Sequence, residues 1–394
     1  MILTKKQEEG LNICIERFKN KEPYTCIAGY AGTGKSTLVK FIIAALNIYP
    51  EDVAYVAFTG KAANVLAQKG CPNATTAHKL LYNTKQLSNG NYIHEPRINL
   101  NHNYKLIIVD EISMLPRDMW NLLLSHRIPI ICCGDPEQLP PIDPEKDNHV
   151  LNKPDVFLDE IMRQAAESEI IRLSMHIREG NGLETFPCSN QQVKVIKKND
   201  IITGMYDWAD QIICATNKTR NEVNAAMRTL RGFGPTPQAE DKIISLSNHW
   251  DFCSETNSPL TNGSIGHITD SWIDTKYLPR YLNHPNPVKI MYSNVQTDDG
   301  EFYKNIPIDY DYLITGKEVL SPKLKYRMKR GKYSPDPPFD FAYGYAITCH
   351  KAQGSEWNKI LVFEETFPRI VEEHRRWLYT AITRASEKIV MVKK

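Results

Sequence analysis

The stretch "YTCIAGYAGTGKSTLVKFIIAAL", residues 24–46, constrains this chain more than any other part of it. An apolar strand, Thr25–Ala28, runs into Gly29, four further residues, Gly34, Lys35 and Ser36. Leu38, Ile42 and Leu46 then recur at helical spacing. Strand, glycine-rich loop and helix in that order make a phosphate-binding loop. The glycines let the backbone turn its N–H groups onto phosphates at a helix N-terminus. Lys35 is expected to reach the β- and γ-phosphates and Ser36 to ligate Mg²⁺. A loop of this kind sits at the carboxyl edge of an open α/β sheet.

The partner stretch is "YKLIIVDEIS". Leu106–Val109 read as a buried strand that delivers Asp110 and Glu111 to its C-terminal end. Asp110 suits the Mg²⁺ shell, and Glu111 can polarise water for attack on a γ-phosphate. Two more strand ends carry polar groups: "VAYVAFTGKAANVLA" places Thr59 and Lys61 at a helix start. "IPIICCGDPEQLPPI" adds Gln138 after Gly134-Asp135. A neutral glutamine there can sense a γ-phosphate without competing for the metal. Near the end, "WLYTAITRASEKIV" puts Arg384 after a helical run and before a β-like segment, Lys388–Val392. An arginine so placed is either a cation on the negative end of the helix dipole or a finger held toward a phosphate.

Composition excludes more than it selects. With 42% hydrophobic and 24% charged residues the chain reads as globular. No apolar run approaches the roughly 20 residues of a membrane span, and "MILTKKQEEG" lacks a signal core, so a cytoplasmic protein is expected. Nine cysteines without CxxC pairs or Cys/His clusters suit a reducing compartment and argue against zinc. A net charge of +2 says little about nucleic acid. The basic run "KLKYRMKRGKY", 323–333, could line a strand's path with Tyr326 and Tyr333 as stacking faces, or be a solvated strand or loop. Asn89-Gly90, inside "YNTKQLSNGNYIHEPRINLNHN" (82–103), signals a hairpin turn.

In order along the chain these segments resemble the motifs of superfamily 1 helicases of the RecD/Dda-like group. "LTKKQ" with Gln7 resembles the adenine-reading Q motif, and "GYAGTGKST" resembles motif I, in which Gly29, Gly32, Thr33, Gly34, Lys35, Ser36 and Thr37 form the cradle. "AFTGKAA", "ATTAHKLL", "VDEIS" and "GDPEQLPPI" resemble motifs Ia, Ib, II and III. "LDEIMRQAAESEI" looks like motif IV, with Arg163 and Gln164. "AITCHKAQGSEW" looks like motif V, with Gln353, Gly354 and Glu356 near the nucleotide or lobe interface, and "YTAITRAS" looks like motif VI.

The resemblance implies an α/β fold of two RecA-like parallel-sheet lobes binding ATP and Mg²⁺ between them. The first lobe would be 1–81 with 104–152, carrying a β-hairpin pin at 82–103. The second would be 153–268 with 341–394, carrying an SH3-like β-rich insertion at 269–340. Lys35, Glu111, Gln138, Arg163 and Arg384 would act in hydrolysis, and Asp110 and Ser36 would hold the metal. Thr59, Lys61, Thr76, His78 and Tyr92 on the first lobe, and Asn217, Thr348 and His350 on the second, would face DNA. The implied activity is ATP-driven 5′-to-3′ translocation on single-stranded DNA and unwinding of forks, in replication, recombination or repair. A monomer is implied, because one chain supplies both walls of the ATP cleft. A single-strand-binding, replication or recombination protein is admitted as a partner. A translocase that unwinds poorly and a P-loop kinase or nucleotide switch are the rival readings. No nuclease motif stands out.

Overall fold

The computed structural model describes residues 3–86, 92–100, 102–140, 144–162, 167–189, 191–256, 258–284, 287–330 and 336–393. The chain divides into two compact units. One comprises 1–81, 97–220 and 347–394, and the other 82–96 and 221–346.

The first unit holds two parallel sheets. The first sheet has the order β3 (Ala74–Thr76), β2 (Val53–Ala57), β6 (Leu106–Val109), β7 (Ile130–Gly134), β1 (Tyr24–Gly29) and β8 (Val156–Leu158), every neighbouring pair parallel. β2, β6 and β7 are buried along their whole length, as strands covered on both faces must be. Helix α1 (Lys5–Lys19) starts at a capping box, in which Thr4 and Gln7 satisfy each other's backbone N–H groups. It packs with α2 (Lys35–Leu46) on an apolar core of Cys14, Ile27, Leu38, Ile42, Leu106 and Val156. α3 (Gly60–Gln68), α4 (Ala77–Leu81) and α5 (Arg117–Ser125) complete this lobe.

The second sheet has the order β18 (Ala346–Thr348), β10 (Gln211–Cys214), β19 (Trp357–Phe363), β20 (Ala385–Lys393) and β9 (Val193–Lys197). The pairs β10–β19, β19–β20 and β20–β9 are parallel. Its helices include α6 (Glu169–Arg178), α7 (Thr203–Trp208) and, further along the chain, the Val371–Ile382 helix, while most of α8 (Asn217–Leu230) belongs to the second unit. Two sheets of this kind are two RecA-like lobes. All nine cysteines are free thiols. Among the described residues no helix is long and apolar enough to cross a membrane.

The second unit is built on an antiparallel five-stranded sheet. Its order is β16 (Phe302–Asp309), β15 (Val288–Thr297), β14 (Ile265–Lys276), β11 (Lys242–Ser245) and β17 (Phe341–Tyr343). Ile243, Met291, Tyr303, Ile306, Ile308 and Phe341 fill its core. A separate two-stranded ribbon pairs β4 (Tyr82–Gln86) with β5 (Tyr92–Pro96). The Asn89-Gly90 turn lies outside the described residues.

Three expectations need correction. Residues 156–158 were expected in the second lobe, yet β8 is an edge strand of the first sheet, paired with β1. The β-rich part exceeds 269–340, because β11 and β17 on either side supply two of its five strands. The described part of the basic run, 323–330, is neither strand nor loop. Pro322–Arg330 is a helix, α10, that buries Tyr326 and Met328 and follows α9 (Tyr310–Thr315). Lys325 pairs with Asp309 and Asp340, and Arg327 donates to the carbonyls of Tyr281 and Leu282. Lys325 and Arg327 therefore serve the fold itself, and the buried Tyr326 offers no free face. Tyr333 lies outside the described residues.

Candidate active site

The phosphate loop turns between β1 and α2. Gly32 and Gly34 have φ of +79° and +81°, the left-handed region that excludes most side chains. A Cβ on Gly34 would also come within 2.5 Å of the Gln7 amide nitrogen. Lys35 folds over its own loop, donating from Nζ to the carbonyls of Gly29 at 2.6 Å and Tyr30 at 3.0 Å. Thr33 is buried and donates from Oγ1 to the Tyr30 carbonyl. Ser36 is exposed and Thr37 half-buried in the first turn of α2. Gln7 is almost fully buried: its Nε2 donates to the Thr33 carbonyl at 3.1 Å, and its Oε1 accepts from the Thr4 N–H. Here it braces the loop with both ends of its amide.

Asp110 and Glu111 stand at the end of β6. Desolvation, reinforced by the Glu111 charge and opposed by Lys35, pushes Asp110 up to about 6. Its Oδ1 accepts the Glu111 N–H. Glu111 itself has φ +54°, unusual for a residue with a side chain. Gln138 lies across from it, oriented with its amide nitrogen toward Glu111 and its oxygen toward Arg384, so that both neighbours are satisfied. It donates to Glu111 Oε2 at 2.7 Å and accepts from Arg384 Nη2 at 3.3 Å. Arg384 is 5% exposed. It also donates from Nε to the Thr380 carbonyl, from Nη1 to the Ser355 carbonyl and from Nη2 to Thr383 Oγ1. The guanidinium thus caps the end of its own helix, α12 (Val371–Ile382), and reaches through Gln138 to Glu111. The helix-capping reading of this arginine is met by these bonds. Arg163 and Gln164 lie outside the described residues.

Motif V and the first lobe also meet. Gln353 donates to the Leu139 carbonyl at 3.0 Å. A Cβ on Gly354 (φ +73°) would meet Ala62 Cβ and Thr59 Oγ1 at 3.1 and 3.3 Å, so this turn approaches the start of α3 closely. Glu356 is exposed.

The residues expected to face DNA divide. Thr59 and Thr76 hydroxyls accept backbone N–H groups, from Ala62 and Lys79, and so act as helix caps. Lys61 Nζ lies 4.6 Å from the centre of the Trp357 ring, and the His78 ring lies 6.0 Å from that of Phe58. Thr348 precedes α11 (Cys349–Ala352), whose His350 is held neutral by burial, which lowers its pKa. Asn217 is exposed at the start of α8. Thr216 and Thr219 beside it donate to the Glu365 carboxylate. The side chain of Tyr92 lies outside the described residues.

Several site residues had no signal in the sequence. The buried Tyr379 hydroxyl accepts from the Ala31 N–H of the phosphate loop at 3.0 Å and donates to Asp135 Oδ2 at 2.6 Å. Burial raises Asp135, against the pull of Lys35 and of this bond. Thr380 Oγ1 accepts from the Leu139 N–H at 2.9 Å, and Arg375 pairs with Glu137 at 2.6 Å. Arg178 stacks its guanidinium 3.7 Å over the ring of Tyr30, inside the loop. Only the position of Tyr379, on the helix that ends two residues before Arg384, could have pointed to it.

A family model for an AAA domain matches residues 4–204, just over half of the chain, and one for a UvrD-like helicase C-terminal domain matches residues 343–392. The chain belongs to the RecD/Pif1-like group of superfamily 1 helicases. It is 26% identical over 384 residues to the ATP-dependent RecD2 DNA helicase of Deinococcus radiodurans, covering 92% of this chain and 46% of that one. It is 33% identical over 147 residues to the ATP-dependent DNA helicase dda of Enterobacteria phage T4, covering 36% of this chain and 34% of that one. The chain thus spans less than half the length of these relatives in the matched regions. The crystal structure of a Pif1 helicase from Bacteroides, in complex with ADP-AlF3 and ssDNA, superposes with a TM-score of 0.55 at 18% identity, covering 99% of this chain and 92% of that one. At that identity the likeness speaks to the fold alone. Membership in this group implies nucleotide use.

Proposed function

We propose that this protein is an ATP-dependent DNA helicase that translocates 5′ to 3′ on single-stranded DNA and unwinds forks as a monomer. The observation that carries the reading is the chain Glu111–Gln138–Arg384, which joins a strand end of one lobe to a helix end of the other beside the phosphate loop. A phosphate-dependent link between two lobes is what converts hydrolysis into alternating grip. The relatives named as ATP-dependent DNA helicases support the substrate class and activity.

The donor set suits a magnesium nucleotide. Asp110 is a desolvated carboxylate with one backbone partner described, and Ser36 is an exposed hydroxyl in the first turn of α2. The metal, when bound, neutralises charge on the β- and γ-phosphates. Lys35 leaves its two loop carbonyls to meet the phosphates. Glu111 takes the proton of the attacking water, with Gln138 holding its carboxylate. Arg384 and Arg163 stabilise the charge that develops on the transferred phosphate, and Gln7, Gln164, Gly354 and Glu356 border the nucleotide. Thr59, Lys61, Thr76, His78, Asn217, Thr348 and His350 flank the DNA strand, whose backbone is held without reading sequence. The β4–β5 ribbon acts as the separating pin, with Tyr92 at its surface, and the antiparallel sheet is the SH3-like module.

The test compares duplexes with only a 5′ tail or only a 3′ tail, with hydrolysis followed alongside. Unwinding of the 5′-tailed duplex alone supports the proposal. Preference for the 3′ tail keeps the motor and removes the polarity. Hydrolysis stimulated by single strands without unwinding identifies a translocase, and hydrolysis indifferent to DNA overturns the reading.

A further inference from the structure

We infer that Tyr379 is a positioning residue, whose hydroxyl ties the phosphate loop to the helix that runs up to Arg384 and thereby sets the arginine's reach. The inference rests on the hydrolysis proposed above. Tyr379 is 1% exposed, and its hydroxyl is held on two sides. It accepts from Ala31 N, a backbone group of the phosphate loop, and donates to Asp135, three residues before Gln138. Core packing alone would be served by a phenylalanine. A hydroxyl earns its place in a dry interior only by satisfying partners, and these two belong to the loop and to the segment that carries Gln138.

The rest of the helix makes the purpose legible. Arg375, one turn before Tyr379, pairs with Glu137, and Thr380 accepts from the Leu139 N–H. Three residues of α12 therefore grip positions 135, 137 and 139, bracketing Gln138 at its bridge between Glu111 and Arg384. Tyr379 differs from the other two because it also holds the loop that must reshape around phosphates. A shift of the loop at Ala31 is passed through one hydroxyl to the last turn of α12, and Arg384 lies two residues beyond the end of that helix.

The test removes the hydroxyl and keeps the ring. With single-stranded DNA present, Tyr379→Phe should lower kcat for ATP hydrolysis by about 10- to 100-fold and leave KM for ATP within about threefold. Tyr379→Phe combined with Arg384→Ala should be no slower than Arg384→Ala alone, because both act through one group. Hydrogen exchange of peptides spanning 29–34 should quicken in Tyr379→Phe without nucleotide, since the Ala31 N–H loses its acceptor. An unchanged kcat, or a loss that multiplies fully with that of Arg384→Ala, overturns the inference while wild-type hydrolysis stands. A wild-type chain that does not hydrolyse ATP overturns the proposed function, and with it this role for Tyr379.

Discussion

Replacing Arg384 by alanine separates its two roles, because they differ in magnitude and in readout. The guanidinium donates to the carbonyls of Thr380 and Ser355, to the Thr383 hydroxyl and to Gln138. Its removal strips several buried acceptors of a charged donor. Hydrogen bonds to charged groups contribute about 1.5–3 kcal/mol each, but the buried arginine's own desolvation offsets part of that. A net stability loss of about 2–3 kcal/mol is therefore expected, small enough for most domains to remain folded. As a finger toward the γ-phosphate, the same group is expected to contribute about 10³–10⁵ in rate. That is about 4–7 kcal/mol of barrier, at 1.36 kcal/mol per tenfold. Single-turnover hydrolysis with saturating oligo-dT, at a temperature well below the variant's Tm, reads the second quantity free of the first. Binding of a fluorescent ATP analogue should persist. Arg384→Lys should recover more stability than rate, because an ammonium cannot reproduce the planar fork. If Arg384→Ala hydrolyses ATP within about threefold of wild type, the arginine is a helix cap and nothing more.

Lys35→Ala should abolish hydrolysis while circular dichroism stays near wild type, since the hydrogen bonds of Nζ go to carbonyls of its own loop. Replacing residues 87–91 by a two-residue turn should spare DNA-stimulated hydrolysis and impair unwinding; equal loss of both would assign the ribbon a structural role. Asp110→Asn should raise Tm at pH 7.5 and by about half as much at pH 5, while destroying Mg²⁺-dependent hydrolysis. The sign follows from a folded pKa of about 6 against an ordinary 3.8. The folded state holds the proton more tightly, so Asp110 costs stability as pH rises from below 4 through 6, by up to about 3 kcal/mol. A variant with lower Tm than wild type at pH 7.5 would show that the carboxylate is stabilised, not strained, by its surroundings.

What the sequence made legible was local and chemical. The phosphate loop could be read because its chemistry demands glycines, a lysine and a hydroxyl at fixed spacing between a strand and a helix, and 24–46 form those elements. Asp110 and Glu111 could be read because a buried parallel strand must end before it can present acids. What stayed hidden was set by distance along the chain. Tyr379 meets Ala31 across 348 residues and Asp135 across 244, and nothing in an aromatic residue on the buried face of a helix announces a hydroxyl with two partners. The helix at 322–330 was missed for a different reason. Its basic residues masked the apolar positions, and whether Lys325 and Arg327 served DNA or the fold depended on acids and carbonyls elsewhere in the chain. β8 is only three residues long, too short for period to place it in either lobe.

Glu111 shows how backbone and charge cooperate where function departs from fold. Consecutive residues of an extended strand point to opposite faces, so two adjacent acids at a strand end would normally diverge. The left-handed backbone at Glu111 breaks that alternation. Its carboxylate reaches Gln138 while Asp110 stays in the field of Lys35, so neighbouring acids serve the same loop in different capacities. A left-handed conformation costs a residue with a Cβ about 1 kcal/mol, and the desolvated Asp110 adds to that. Fold alone would favour glycine or asparagine at 111 and a neutral residue at 110. The chain instead carries both costs at the point where the lobes meet through Gln138, where the proposed reaction accounts for the strain and the desolvated charge and the fold does not.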